Sequence, residues 1–291
     1  MKLLICIDDT DNLESRGTGK IAEEIKNLII KKGFGTGSFT TRHQLLLHKD
    51  IPYTSHNSSM CFECDIKDEL YDVVEKEATE YLRRESAPGS DPGICIAKKT
   101  KGLNETVLIE FGLRAKRQLL SKEAAYSIAA QAGVYLKEVG GTGQGIIGAL
   151  AGVGLRLDGN DGEVKGGVEQ FRKGETYTVE QLLSNDKIEA VCDSNLNFLT
   201  GEQKVFITWK AKPVIVDKRP VLVVAWDEEA KIWRSMKKKE MRAFGDESTY
   251  KKACRAFTFD VEEELVNDER SCLNCRYRRW TDNFFSCSYA W

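Results

Sequence analysis

Three carboxylates, Asp8, Asp9 and Asp11, fall within four positions directly after the apolar run Leu3-Leu4-Ile5-Cys6-Ile7. Like charges this close raise one another's pKa, so a fold keeps them most readily where a cation neutralises them. Mg²⁺ suits such a set, because it takes hard oxygen ligands, often one or two carboxylates completed by substrate phosphates and water. In an extended segment Asp9 and Asp11 share one face and Asp8 takes the other, so two can hold metal while the third orients a nucleophile or a loop. Gly17-Thr18-Gly19-Lys20 follows and opens a helical pattern through Ile21, Ala22, Ile25, Leu28 and Ile29 that ends at Gly33. The free N–H groups and positive dipole end of that helix would face whatever the carboxylates bind, and the two together make a metal–phosphate site. The bland reading of the same letters is an acidic turn after an edge strand. Gly-Thr-Gly-Lys also lacks the upstream glycine of a full phosphate-binding loop.

A second glycine-dense stretch runs Gly140-Gly141-Thr142-Gly143-Gln144-Gly145 into the small-residue segment Ile146 to Gly154. Glycine lets a backbone approach an anion closely, which makes Gly143 and Gly145 candidates for a nucleotide cradle. A helix packed closely on a sheet wants the same residues, and the two readings stand side by side.

Nine cysteines need a reading compatible with a reducing compartment. Cys6, Cys95 and Cys192 lie in strand-like apolar stretches as small buried hydrophobes. Cys61 and Cys64 form a C-x-x-C in a strand, where a three-residue offset sends the thiols to opposite faces. Cys254, Cys272, Cys275 and Cys287 offer four thiolates, with zinc favoured and an iron–sulfur cluster equally allowed by ligand count. The alternative is free thiols packed among aromatic rings. Arg276, Arg278, Arg279 and Trp280 lie between the last two of these cysteines, with Lys237-Lys238-Lys239 upstream. Cations interleaved with rings suit single-stranded RNA, and a solvated basic face is the commoner meaning of such a run. The three histidines, His43, His48 and His56, have no helix-face spacing and read as polar loop residues rather than a metal site.

The elements that must position these residues follow from periodicity. Strands are predicted at 37–47, 58–66 and Ile94-Cys95-Ile96, and a helix at 67–84; residues 105–138 read as mostly helical, with Ser121 as a cap. A short helix is predicted over Val179 to Leu183, then strands over Lys204 to Trp209, Val214 to Val216, Val221 to Trp226 and Lys231 to Trp233. The fold class is therefore α/β (α+β), with an α/β region carrying the metal–phosphate site at 1–165, a small β-rich module at 166–245 and a Cys-rich tail at 246–291. Apolar content of 41% and charged content of 30% are those of a globular chain, and a net charge of −2 gives no global pull towards nucleic acid. No apolar stretch reaches the roughly 18–20 residues of a membrane span, and Met1-Lys2 runs into a strand rather than a signal peptide, so the chain is expected to be cytosolic.

Ile7-Asp8-Asp9-Thr10-Asp11, Ile51-Pro52-Tyr53-Thr54 to Asn57, Asp91-Pro92-Gly93-Ile94 and Gly145-Ile146-Ile147-Gly148-Ala149-Leu150-Ala151 occur in an order and spacing that resemble the archaeal tRNA-isoleucine agmatinylcytidine synthetase family over roughly residues 1–160. That resemblance implies a kinase-like α/β domain joined to a ferredoxin-like part. It implies ATP cleavage that phosphorylates a base oxygen, followed by displacement of the phosphate by a small amine. It further implies that Asp8, Asp9 and Asp11 hold Mg²⁺ and nucleotide phosphates, that Gly17, Thr18, Gly19, Lys20 and Asn57 lie at the nucleotide, and that tRNA is the partner. Thr18 falls, without a gap, at the family's autophosphorylated threonine, whereas aligning Arg16-Gly17 instead shifts the match by two residues. Ser55-His56-Asn57-Ser58 replaces the family's Arg-Gly-Asn-Gly turn, losing a cation and two glycines. Two other readings remain: a nucleotide-sensing or RNA-binding module without amine chemistry, and a haloacid-dehalogenase-like phosphatase, whose D-x-D motif Asp9-Thr10-Asp11 imitates.

Overall fold

A computed structural model describes residues 1–12, 14–46, 48, 51, 57–193 and 195–236, and the backbone of Arg278–Arg279 and Ser286–Cys287. The chain divides into two compact units, Met1–Asp158 and Gly159–Trp291.

The first unit runs β1 (Lys2–Asp8), α1 (Thr18–Lys31), β2 (Gly35–Gln44), β3 (Ser58–Ile66), α2 (Tyr71–Glu85), β4 (Gly93–Lys98), α3 (Glu105–Ala115), α4 (Lys122–Ala132), β5 (Tyr135–Glu138) and α5 (Gly145–Asp158). Its strands lie in the order β5-β4-β1-β3-β2, every neighbour antiparallel. The βαββαβ stretch from β1 to β4 with order β4-β1-β3-β2 is the ferredoxin-like arrangement, extended by β5 on one edge. The strand β1 is therefore central, with its C-terminal end at Asp8.

Both faces of this sheet are covered, which explains why β1 reads as an unbroken apolar run. Leu3, Ile5 and Ile7 pack with Ile21, Ala22, Ile25 and Ile29 of α1 and Val74, Ala78 and Leu82 of α2. Leu4 and Cys6 face the other way, onto Leu108 and Phe111 of α3, Ala125 and Ala129 of α4, and Ile146, Ala149, Leu150 and Val153 of α5. α5 comes very close to its neighbours. A Cβ at Gly154 would lie 1.9 Å from the Leu108 carbonyl oxygen, and one at Gly148 would lie 1.6 Å from Asp8 Oδ2. Close packing is thus what the small residues of α5 serve.

Several boundaries differ from the sequence reading. Residues 105–138 are mostly helical as expected, with Ser121 capping α4, but not to their end: Gly133, at φ +71°, ends α4 in the left-handed conformation, and Tyr135–Glu138 pairs with β4 as an edge strand. The strand expected at 37–47 is Gly35–Gln44, and the one expected over Lys204 to Trp209 stops at Phe206. His43 is a strand residue, fully buried, with its Nε2 2.8 Å from Thr41 Oγ1. Cys61 faces α5 and Cys64 faces α1 and α2, so their thiols do lie on opposite sides of the sheet.

The second unit holds β6 (Glu163–Val164), β7 (Thr176–Thr178), α6 (Val179–Leu183), β8 (Ala190–Cys192), β9 (Phe198–Leu199), β10 (Lys204–Phe206), β11 (Val214–Val216), β12 (Arg219–Asp227) and β13 (Ile232–Ser235). Thr178 and Gln181 close a capping box at the start of α6. Asp217 and Lys218, both at positive φ, make a two-residue hairpin between β11 and β12. Val168, Phe171, Val179, Leu182, Val205, Leu222 and Val224 form the core of this β-rich unit. A last pair, β14 (Arg278–Arg279) and β15 (Ser286–Cys287), is antiparallel. Among the described residues no helix is long and apolar enough to cross a membrane.

Cys6, Cys61, Cys64, Cys95 and Cys192 are all buried free thiols, and burial pushes Cys6, Cys64, Cys95 and Cys192 above the usual thiol range. Thiol-specific labelling of the native protein, mapped by peptide mass spectrometry, is expected to leave these five unmodified over a time in which a denatured sample labels at all of them.

Candidate functional site

The carboxylate row sits at the end of the central strand, but the chain does not continue extended through it. Asp9 takes φ +54°, a left-handed conformation that Asp tolerates better than most residues. The expected alternation, with Asp9 and Asp11 on one face, is therefore broken at Asp9, and the three side chains take three different surroundings. Asp8 still follows the strand, turns to the α5 side and meets Gly148. Its Oδ1 accepts from the Asp9 N–H at 2.9 Å. The main-chain N–H of Asp91 faces the Asp9 carboxylate and favours its ionised form. Asp11 accepts from the Thr18 hydroxyl at 3.3 Å, and Thr18 in turn accepts from Thr10 at 3.0 Å.

The electrostatics are those of crowded, partly desolvated acids. Asp8 and Thr18 are each 7% exposed, so the carboxylate and the hydroxyl are both largely removed from water. Burial first, then the charges of Asp9 and Asp11, push Asp8 well above the usual carboxylate range. Asp9 is pushed up to about 6, by burial first and then by Asp91 and Asp11. A row whose ionisation is opposed in this way fits a cation, and two of its carboxylates with phosphate and water oxygens would satisfy Mg²⁺. Among the described residues no three His, Cys, Asp or Glu side chains gather into a group that could hold a metal by itself.

α1 begins beside this row. Gly17 is its N-cap, contributes no side-chain cap and is exposed, and the first turn carries no acid. A Cβ at Gly17 would meet only Asp11 Oδ2, at 3.6 Å. The Lys20 N–H donates to the Gly17 carbonyl at 2.9 Å, and no side-chain cap covers the N–H groups of Thr18 and Gly19 at the start of this 14-residue helix, which fits a phosphate. Lys20 is exposed in that same turn. The loop between Asp11 and Gly17 is shaped by Asn12, whose Oδ1 accepts from the N–H groups of Glu14 and Ser15 at 3.0 and 2.9 Å. It is anchored by Arg16, which pairs with Glu24 of α1 at 2.9 Å and with Glu85 of α2.

The other sequence candidates land as follows. Asn57 donates from its side-chain amide to the Leu46 carbonyl at 2.6 Å, closing the connection between β2 and β3. Gly143, at φ +75°, lies against Glu138, so that a Cβ there would be 2.0 Å from the Glu138 carboxylate. Gly145 donates its N–H to the Asp91 carbonyl at 2.9 Å. The turn at 140–145 is bordered by Asp91 and Glu138, a setting of two carboxylates that does not invite phosphate. Cys254, Cys272, Cys275, Arg276, Trp280 and Lys237 to Lys239 lie outside the described residues, as do Pro52 to His56. Arg278, Arg279 and Cys287 are described as backbone alone, with Arg278 opposite Cys287.

Sequence reasoning missed Asp91, Thr10 and Arg16 as parts of this site. Asp91 had a legible signal: an Asp-Pro-Gly turn that leads into the strand next to β1. Because β4 runs antiparallel to β1, with Gly93 opposite Asp8, the start of one strand lies beside the end of the other.

No family model matches this chain. It is 28% identical over 163 residues to an uncharacterized protein of Methanocaldococcus jannaschii, covering 53% of this chain and 50% of that protein, so it spans about half the length of the curated relative it matches. Among solved structures it is similar to a tRNA fluorescent labeling enzyme, with TM-score 0.45, 22% identity, and coverage of 53% of this chain and 36% of that one. It is also similar to TiaS in a complex with an isoleucine tRNA and ATP, with TM-score 0.45 and 21% identity over the same shares. A further similar structure is apo TiaS, a tRNA agmatidine synthetase, with TM-score 0.43, 20% identity, and coverage of 53% and 35%.

Proposed function

We propose that this chain is a divergent relative of the tRNA-isoleucine agmatinylcytidine synthetases and an Mg²⁺- and ATP-dependent RNA-modifying enzyme, acting on tRNA. In this reading it activates a base oxygen by phosphoryl transfer for attack by a small amine. The observation that carries the reading is the pairing of a partly buried carboxylate row, Asp8, Asp9 and Asp11, with the side-chain-uncapped N-terminus of α1 at Gly17 to Lys20. Phosphoryl transfer asks a protein for positioning and charge neutralisation more than for covalent chemistry. Asp8 and Asp9 would hold Mg²⁺, which when bound neutralises phosphate oxygens. The α1 N–H groups and Lys20 bind and orient the phosphates from the other side. Thr18 presents its hydroxyl to Asp11, an arrangement in which Asp11 accepts the hydroxyl proton if Thr18 is phosphorylated. A C-terminal zinc or iron–sulfur site at Cys254, Cys272, Cys275 and Cys287, with RNA contacts from Arg276, Arg278, Arg279 and Trp280, belongs to the same proposal.

The test uses purified protein with radiolabelled ATP, Mg²⁺, bulk archaeal tRNA and agmatine as probe amine. Nucleotide cleavage is expected to rise at least about tenfold when tRNA is added, and to fall to background in Asp11→Asn. Binding of ATP without any tRNA-dependent cleavage would favour a nucleotide-binding module. Release of phosphate from small phosphate esters in the absence of ATP would favour a phosphatase.

A further inference from the structure

We propose that Asp91 is a positioning residue that fixes Asp9 against the 140–145 turn through hydrogen bonds, and that its own negative charge is not what the site requires. The inference rests on the reading of Asp9 as part of an ATP-using site.

The polar groups of Asp91 reach three residues, the two carboxylate oxygens sharing Thr142. The Asp91 N–H faces the Asp9 carboxylate, where the register of β1 with β4 sets Gly93 opposite Asp8. Its C=O accepts from the Gly145 N–H at 2.9 Å. One carboxylate oxygen accepts from the Thr142 N–H and the other from the Thr142 hydroxyl at 2.6 Å. The next residue continues the same seam, since the Pro92 carbonyl accepts from Val139 at 2.8 Å. One residue thereby joins the end of β1, the start of β4 and the turn before α5.

The turn is itself held from the far side. Lys122 Nζ donates to the Thr142 carbonyl at 2.7 Å and to Glu138 at 3.0 Å, and Tyr126 donates to Glu138 at 2.9 Å. The Asp91 carboxylate thus grips a turn that cannot follow it. With the side chain anchored, the peptide N–H that meets Asp9 has one direction. A displacement near 1 Å at such a group costs about 10²-fold in rate when chemistry depends on alignment.

Charge and tether can be separated by substitution. In Asp91→Asn the amide oxygen can still accept from the Thr142 N–H and the amide nitrogen can donate to the Thr142 hydroxyl, so the tether survives without the charge. Asp91→Ala and Thr142→Val remove the tether from either end. Steady-state ATP cleavage with Mg²⁺ and tRNA is expected to show kcat about tenfold or more lower in Asp91→Ala and Thr142→Val, with KM for ATP within about twofold. Asp91→Asn is expected to restore kcat to within about threefold of the wild type. Hydrogen exchange read by mass spectrometry should quicken in peptides covering 8–12 and 138–146 in the two tether variants and not in Asp91→Asn. A loss in Asp91→Asn as deep as in Asp91→Ala would assign the role to the charge and overturn the proposal. Unchanged exchange in Asp91→Ala would overturn it whether or not the wild type cleaves ATP. Absence of cleavage in the wild type, with exchange quickened as expected, would instead count against the ATP-using reading alone.

Discussion

Asp9→Asn is expected to lower tRNA-dependent ATP cleavage by about 10²–10³-fold, the loss typical of removing one electrostatic partner of a transition state. The same substitution is expected to stabilise the metal-free protein. The carboxamide is close in shape, tolerates the positive φ of position 9 and can present its oxygen to the Asp91 N–H that faces it. It also relieves the burial of an ionised group beside Asp91 and Asp11. Because the folded-state pKa of Asp9, about 6, lies above the ordinary value of 3.8, folding disfavours the ionised form. Asp9 therefore costs no stability where it is neutral in both states, below about pH 4, and its cost grows as pH rises to about 6 and stays above it. The melting temperature of Asp9→Asn in EDTA should match the wild type near pH 4. It should exceed it at pH 7, where a gain on the order of 1 kcal/mol corresponds to about 2–4 °C. Mg²⁺ with ATP should raise the wild-type melting temperature and leave that of the variant unmoved. A variant that retains full turnover, or that melts lower at pH 7 in EDTA, would remove Asp9 from the role assigned to it.

Gly154→Ala is expected to be the most damaging single methyl in the first unit. In an exposed helix interior this substitution gains about 1 kcal/mol from propensity. Here the added Cβ would lie 1.9 Å from the Leu108 carbonyl oxygen and 2.6 Å from its carbon, and both are backbone atoms of α3 that cannot rotate away. The two helices must separate, opening a core that holds Leu108, Phe111, Ala151 and Leu155. A net loss of about 2–3 kcal/mol is expected, seen as a lower denaturant midpoint with an unchanged slope. Gly102→Ala, whose Cβ would find nothing nearer than Thr100 Oγ1 at 3.9 Å, serves as control and should stay within about 0.5 kcal/mol. Equal midpoints for the two variants would show that α3 and α5 do not meet as described.

What could be read from the sequence was local. The apolar run ending at Asp8, the spacing of Ile21, Ile25 and Ile29, the strand over 58–66 and the short helix at Val179–Leu183 are each set by neighbours in sequence, and each stands where periodicity put it. The edge strand Tyr135–Glu138 did not show, because a four-residue strand after a helix gains its identity only from pairing with β4. The turn at Asp9 is likewise a tertiary result: nothing in Asp8-Asp9-Thr10 announces a positive φ, which here accompanies a bond to Asp8 and the facing N–H of Asp91. The glycines before α5 were legible as a place where something comes close. Which partner comes close depends on topology, and for Gly143 it is the Glu138 carboxylate rather than open space for a ligand.

The central position of β1 also bears on how the protein is made. Cys6 lies opposite Cys61 on one side and Cys95 on the other, so β1 leaves the ribosome well before either of its partners. At the usual 5–20 residues per second, the wait for β4 is roughly 5–18 s, and α5, which covers Leu4 and Cys6, comes later still. Until β3 is made the apolar run Leu3 to Ile7 has no ladder to join, and until β4 follows one of its edges stays open, so ribosome-bound chains cut short before α5 should be bound by holdase chaperones and digested readily by protease. A strand whose contacts are this distant in sequence also predisposes the unit to slow folding.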